Sequence, residues 1–220
     1  MAARRERITE LRTLYRELRP RIIAREQEFK RIFKTADNEA LFTELAFCIL
    51  TPQSRAHQCW KAVTELKNRG LVMNGSASAI ARVLSGIHGV RFHHNKARYI
   101  VTTRSMLMRD GEPDIRQYIN PEDVFGTRRT IVRLAKGIGI KEASHFLRNI
   151  GFGETLAIID RHVLRNLIPL GVAVKLPNTI TEKRYYALEQ NIARFAQRIR
   201  IPLAHLDFVL WYKEAHDIFK

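Results

Sequence analysis

The stretch that decides the fold is Leu134-Ala-Lys-Gly-Ile-Gly-Ile-Lys-Glu-Ala-Ser-His-Phe-Leu-Arg-Asn-Ile-Gly151. An amphipathic run before it breaks at Lys136-Gly137-Ile138-Gly139. A second run then places apolar side chains on one helical face, at Ala143, Phe146, Leu147 and Ile150. Two glycines one residue apart let the backbone turn sharply and approach another surface closely. The sequence therefore predicts a helix, a tight hairpin and a second helix, whose first N–H groups form a site suited to a phosphate.

The composition favours a nucleic acid as the partner. The chain has 220 residues, of which 45% are hydrophobic, and this is enough for one large or two small domains. Lysine plus arginine exceed aspartate plus glutamate by 38 − 22 = 16 charges. Such a surplus suits a polyanion, with an anionic membrane surface as the alternative. No apolar run approaches the roughly 18 residues of a spanning helix, and no signal peptide is visible, so we expect a soluble, cytoplasmic, nucleoid-associated protein.

The spacing of apolar residues along the rest of the chain predicts helices and no strand of useful length. We expect helices over Arg4–Arg19 and Pro20–Lys34, because proline suits the first turn of a helix. The nearly apolar run Glu39–Leu50 predicts a core helix. The next helix should run from Thr51 to Asn68, with Thr51 as its N-cap and Pro52 at its first position. The expected fold class is all-α.

We expect the chain to form two helical lobes. We expect a central helical bundle over residues 47–150 that ends in the hairpin. The second lobe would combine residues 1–46 with 151–220, and the active cleft would lie between the two lobes.

Two residues near the hairpin could carry chemistry. Lys141 stands in the first turn of the second helix, where the positive end of the helix disfavours an ammonium and so favours a nucleophilic amine. A phosphate-binding lysine is the alternative. Asp160 precedes a helix and can cap it, and a capping aspartate that stays ionised can have a further role. The two residues are 160 − 141 = 19 positions apart with one helix between them, which lets their side chains converge.

Several motifs resemble one enzyme family. The main motif is Lys136-Gly-Ile-Gly-Ile-Lys-Glu-Ala-Ser-His-Phe-Leu-Arg-Asn-Ile-Gly151, followed by Ile158-Ile-Asp-Arg-His-Val-Leu164. It resembles the archaeal-type (type 2) 8-oxoguanine DNA glycosylase/lyases of the helix-hairpin-helix superfamily. Leu50-Thr-Pro-Gln-Ser-Arg-Ala56, Asn95-Lys-Ala-Arg-Tyr-Ile100 and the final Lys220 fit that group too.

The resemblance implies a bifunctional base-excision enzyme. Such enzymes flip the damaged nucleotide out of double-stranded DNA, because the bond to be cut cannot be reached inside the base stack. By resemblance, the Lys141 amine attacks the anomeric carbon of the sugar, expels 8-oxoguanine and forms a Schiff base that leads to β-elimination. Asp160 would stabilise the oxocarbenium-like charge and help to deprotonate the lysine.

Four residues are candidates for recognising the extruded base. Trp211, on an amphipathic last helix, could stack on a base or pack in the core. The resemblance places Lys220 and its carboxylate in the base pocket, although a frayed terminus is the alternative. Asp217 is a pocket candidate or a surface residue. Phe92 could wedge or stack beside DNA, or be a buried residue at a helix start.

Gln53 and Ser54 are candidates for contact with the duplex or the opposite base, by resemblance. Polarity in the first turn of a helix explains them equally well. We expect no cofactor and no catalytic metal, because His93 and His94 lack further ligands at suitable spacing. The resemblance allows a structural monovalent cation at the hairpin carbonyls. We expect a monomer.

Two other functions remain open. A non-catalytic helix-hairpin-helix protein would bind DNA regardless of damage. An endonuclease III-like enzyme for oxidised pyrimidines would share Lys141 and Asp160, but such enzymes usually carry an iron–sulfur cluster. Cys48 and Cys59 are too few to ligate one, and they fall on helical runs where buried free thiols are expected.

Overall fold

The computed structural model describes residues 2–86, 90–175, 177 and 179–220. Within these ranges the chain forms eleven α-helices, one short 3-10 helix and one two-stranded hairpin, which confirms the all-α fold class. The α-helices are α1 (Ala2–Thr35), α2 (Asn38–Leu50), α3 (Ala56–Asn68), α4 (Leu71–Asn74), α5 (Ala77–Ser85), α6 (His93–Leu107), α7 (Val124–Leu134), α8 (Ile140–Asn149), α9 (Arg161–Leu167), α10 (Glu182–Ile199) and α11 (Leu203–Ala215). The strands are β1 (Met108–Arg109) and β2 (Glu112–Pro113), and the 3-10 helix is Arg116–Tyr118.

The chain divides into two units. The central unit is Arg31–Ile150, and the terminal unit combines Met1–Lys30 with Gly151–Lys220. The first boundary lies inside α1, whereas the sequence placed it after residue 46. The difference arises because every residue from Leu41 to Leu50 of α2 is buried and because α2 packs against α3, α6 and α8 of the central unit. Within the described ranges, no helix combines the length and the apolar character that crossing a bilayer requires.

Helix α1 corrects the expected break at Pro20. A proline inside a helix removes one backbone hydrogen bond and costs about 3 kcal/mol. The helix nevertheless continues through Pro20, with Leu11 and Leu18 buried before it and Ile22 and Phe29 buried after it. Burying a large apolar side chain contributes roughly 1.5–3 kcal/mol, so packing on both sides of the proline outweighs the local cost.

The start of α3 is a second correction. Thr51 is the C-cap of α2, and residues 51–55 form a turn before α3 begins at Ala56. Gln53 in this turn has a positive φ of 56°, which is incompatible with a helical first turn. The sequence also missed the hairpin of β1 and β2, whose turn residues Asp110 and Gly111 both have positive φ. Asp-Gly is a strong signal for such a turn.

Cys48 and Cys59 are buried and not joined by a disulfide, as the sequence predicted. The Cys59 thiol donates a hydrogen bond of 3.1 Å to the carbonyl oxygen of Leu50. Burial raises the pKa of Cys59 to about 11.

Candidate active site and DNA-contact surface

The hairpin between α7 and α8 is shaped by two glycines and anchored by one isoleucine. Gly137 has a φ of 78°, and a Cβ at this position would lie 2.2 Å from the Tyr99 ring. Ile138 is 7% exposed, whereas Lys136, Gly137 and Gly139 are exposed on either side of it. The hairpin is therefore pinned to the central unit by Ile138 while its glycine backbone faces outward.

Lys141 is the second residue of α8, and its side chain is 23% exposed. Its ammonium lies 3.6 Å from a carboxylate oxygen of Glu142. The other Glu142 oxygen accepts a hydrogen bond of 3.2 Å from the N–H of Gly139, the N-cap of α8. Glu142 thus connects the hairpin backbone to Lys141. The sequence analysis missed Glu142, although a glutamate three residues after an N-cap is a known capping signal.

The two helices of the motif are tied together by a buried arginine. Arg128 of α7 is 1% exposed and donates a hydrogen bond of 3.0 Å to the Ser144 hydroxyl. Ser144 in turn donates to the carbonyl oxygen of Ile140, one residue before Lys141. At the other end of the hairpin, the Lys136 N–H donates to the Thr103 hydroxyl of α6 at 2.9 Å. These bonds fix the backbone from which Lys141 projects.

A second lysine of the central unit was missed by the sequence analysis. Lys96 of α6 is 4% exposed, and its ammonium donates to the carbonyls of Leu50 and Pro52, each at 2.7 Å, and to the Ser54 hydroxyl at 3.0 Å. The signal in the sequence is its position, because Lys96 lies on the same helical face as the buried Ile100.

Burial lowers the pKa of Lys96 to about 8. The positive charges of Arg91 and Lys141 lower it further, whereas Cys59 and Glu142 act in the opposite direction. The charges of Lys96 and Lys141 therefore interact within the central unit.

Two exposed residues of the central unit share an unusual backbone conformation. Phe92 is the N-cap of α6, has a φ of 58° and is 50% exposed, with the Arg91 guanidinium 5.3 Å from its ring centre. Gln53 is also exposed and has a φ of 56°. Large side chains adopt this conformation rarely, and residues held in it are concentrated at functional sites. Phe92 is therefore not the buried residue that the sequence left as an alternative.

In the terminal unit, Asp160 is the N-cap of α9. One carboxylate oxygen accepts the N–H of Val163 at 2.8 Å, and the residue is half-buried. The preceding segment is fixed by α10, because the Tyr185 hydroxyl donates to the Ala157 carbonyl at 2.6 Å and accepts the Ile159 N–H at 3.2 Å. Asp160 therefore has a defined position, and its helix-capping role is present.

The candidates for base recognition in the terminal unit lie on or after α11. Trp211 is half-buried, and its indole meets the His162 ring edge-to-face at 5.7 Å. In the part of the chain that the structure describes, no acceptor lies within hydrogen-bond distance of its buried indole nitrogen. Asp217 faces Arg21 of α1 at 3.8 Å, and the terminal Lys220 is half-buried.

The candidate residues therefore form two sets. The central unit contains Lys141, the hairpin, Gln53, Ser54 and Phe92, and the terminal unit contains Asp160, Trp211, Asp217 and Lys220. Among the described residues, no three histidine, cysteine, aspartate or glutamate side chains are grouped as a metal site would require.

Comparison with known proteins gives one consistent result. The sequence model of the 8-oxoguanine DNA glycosylase family matches residues 22–201. The chain is 43% identical over 216 residues to the 8-oxoguanine DNA glycosylase/AP lyase of Fusobacterium nucleatum, covering 98% of both chains.

Two solved structures are similar along nearly the whole chain. One is the 8-oxoguanine DNA glycosylase of Thermotoga maritima, with a TM-score of 0.82 and 34% identity, covering 99% of this chain and 100% of that one. The other is the Methanocaldococcus jannaschii 8-oxoguanine glycosylase/lyase in complex with a 15-mer DNA containing 8-oxoguanine. It has a TM-score of 0.84 and 33% identity, covering 97% of this chain and 99% of that one.

Proposed function

Because the chain belongs to the 8-oxoguanine DNA glycosylase family, we propose that it removes 8-oxoguanine from duplex DNA and then cuts the strand at the resulting site. It is a bifunctional base-excision repair enzyme, a DNA glycosylase and AP lyase. The observation that carries this proposal is the position of Lys141, a partly exposed amine in the first turn of the helix that directly follows a glycine hairpin. A nucleophile therefore lies beside a stretch of backbone that can bind a DNA strand.

The hairpin and the first turn of α8 bind the strand through its phosphates. The backbone at Gly137 and Gly139 is exposed to an approaching phosphate, and the N-terminus of α8 adds a positive partial charge. Lys136 contributes a charge beside it. The net charge of +16 adds a general attraction for DNA that weakens steeply with salt.

The neutral amine of Lys141 attacks the C1′ carbon of the extruded nucleotide. The C1′–N9 bond breaks, its electron pair leaves with 8-oxoguanine, and the base takes up a proton. The nitrogen then loses one proton, and the C1′–O bond of the ring breaks as the ring oxygen takes up a proton, which gives a protonated Schiff base between the enzyme and the sugar. Removal of a C2′ proton then expels the 3′ phosphate by β-elimination, and the strand is cut.

Asp160 stabilises the positive charge that develops on the sugar and accepts a proton from Lys141. The bond from the Val163 N–H supports this role, because it fixes one carboxylate oxygen at the N-terminus of α9. This role requires that Asp160 and Lys141 reach the same nucleotide.

Base recognition is assigned to the end of the chain. Trp211 offers an aromatic face that can stack on the extruded base, and the half-buried Lys220 and Asp217 supply polar groups. Phe92 and Gln53 contact the duplex, and their exposure and constrained backbone support this.

The decisive experiment is borohydride trapping on a labelled duplex with one 8-oxoguanine. The wild-type protein should form a covalent complex. Lys141→Gln should form none while its affinity for the duplex stays within roughly threefold, because only the nucleophile is lost. Lys61→Gln, an exposed lysine of α3, is the matched control and should trap normally.

Each alternative function has its own outcome in the same assay. Binding without trapping or strand cleavage by the wild-type protein would indicate a non-catalytic DNA-binding protein. Faster release of thymine glycol than of 8-oxoguanine would indicate an endonuclease III-like enzyme. A monomer that acts on nucleoid DNA stays a prediction, and light scattering of the purified protein tests its oligomeric part.

A further inference from the structure

The Gln53 turn and the start of α6 come from separate parts of the chain, and both are strained. Gln53 and Phe92 each adopt the left-handed conformation, with φ values of 56° and 58°. For a residue with a Cβ this conformation is unfavourable. Such strain persists only where surrounding contacts over-determine the backbone. The contacts that hold these two positions therefore determine the orientation of Gln53 and Phe92, the proposed duplex-contact residues.

The contacts meet at Lys96. Its three ammonium protons have three acceptors, the carbonyls of Leu50 and Pro52 and the hydroxyl of Ser54. The same Ser54 hydroxyl accepts the N–H of Arg91 at 3.0 Å, directly before Phe92. One side chain and one hydroxyl thus tie the end of α2, the Gln53 turn and the start of α6 together.

If stability were the only requirement at this position, a buried ammonium would be unfavourable there. A buried ammonium must give up its hydration, and the lowered pKa of Lys96 reflects that cost. An apolar side chain could fill the same position on the buried face of α6 beside Ala97 and Ile100. It could not donate to the three oxygens, so the turn would lose its connection to α6.

We propose that Lys96 is a positioning residue that holds Gln53 and Phe92 as one rigid duplex-contact surface. This inference rests on the proposed function. Lys96 acts through these two residues and through Ser54, and it does not contact DNA, because its own donors are all occupied.

The test is a double-mutant cycle of Lys96→Met and Phe92→Ala. Affinity is measured with an 8-oxoguanine duplex, and excision is measured in a single turnover at saturating enzyme. Lys96→Met should weaken binding about tenfold, while the rate at saturation stays within about threefold of the wild type. In the Phe92→Ala background the same substitution should weaken binding only about twofold, because a displaced Phe92 no longer matters. Lys61→Met is the control for loss of one charge.

Equal effects of Lys96→Met in the two backgrounds would overturn the inference, as would a lower rate with unchanged affinity. If Lys96→Met fails to fold, Ser54→Ala replaces it in the cycle. That variant keeps both carbonyl bonds of Lys96 and removes the hydroxyl that accepts from Lys96 and from the N–H of Arg91, so the same coupling to Phe92 is expected. Trapping by the wild-type protein is the reference in every series. If the wild-type protein forms no trapped complex, the proposed function is contradicted. If it forms one but the two substitutions have additive effects on binding, only the role of Lys96 is contradicted.

Discussion

Replacing Gly137 by alanine should destabilise the protein by more than the backbone strain at this position alone. The φ of 78° costs a residue with a Cβ about 1–2 kcal/mol. The new Cβ would also stand 2.2 Å from Cδ2 and 2.7 Å from Cε2 of Tyr99, so the ring or the hairpin must move. Overpacking of this kind typically costs about 1–3 kcal/mol. We therefore expect the free energy of unfolding to fall by about 3 kcal/mol.

The matched control is Gly70→Ala. Gly70 has a similar φ of 66°, and no atom lies within 4 Å of the position of its Cβ. This variant carries the backbone strain without the clash, and it should lose only about 1–2 kcal/mol. Urea unfolding of both variants measures the difference, and fluorescence anisotropy measures their affinity for DNA. Gly137→Ala should also bind DNA more weakly, because the displaced hairpin no longer presents its backbone. Equal stability of the two variants would refute the argument from Tyr99.

Three further predictions follow from single contacts. Glu142→Ala should lower the free energy of unfolding by about 1 kcal/mol, because the Gly139 N–H loses its acceptor. Glu142→Gln keeps an oxygen at this position, so a urea titration should show a stability close to that of the wild type. Asp160→Asn should keep the bond from Val163 and unfold normally, yet its single-turnover excision should fall roughly 100-fold; unchanged excision would remove Asp160 from the mechanism. For Lys96, the folded-state pKa of about 8 lies below the ordinary 10.5, so the unfolded chain binds more protons between these values and stability rises with pH. Relative to Lys96→Met, the wild-type free energy of unfolding should increase by about 1 kcal/mol from pH 7 to pH 9, and a decrease would contradict the direction of the shift.

Local chemistry made much of the helical structure predictable. The two glycines of the hairpin and the apolar face after them predict the helix-hairpin-helix motif, and the apolar run from Glu39 to Leu50 predicts a core helix. Pro20 was misleading because its local cost is outweighed by side chains buried on both sides of it. Thr51-Pro52 was misleading because its polarity suits a helix start, while the observed turn depends on a lysine more than forty residues away.

The same contrast between local sequence patterns and long-range contacts applies to the candidate site. Lys141 and Asp160 were candidates because each stands at a helix N-terminus, and the resemblance to a known family supplied their expected roles. Lys96 was not a candidate, because its importance comes from three acceptors that the fold brings to it. The position of Lys96 on the apolar face of α6 indicated that it could be buried, but one such lysine is hard to distinguish among 38 lysine and arginine residues.

The chemistry of Cys59 matters for the conditions in which this enzyme works. 8-Oxoguanine is a product of oxidation, so repair takes place where peroxides are present. Peroxides attack the thiolate form of cysteine, and the raised pKa of about 11 keeps the buried Cys59 protonated. The buried, protonated sulfur of Cys59 is therefore a poor target for the oxidants that create 8-oxoguanine.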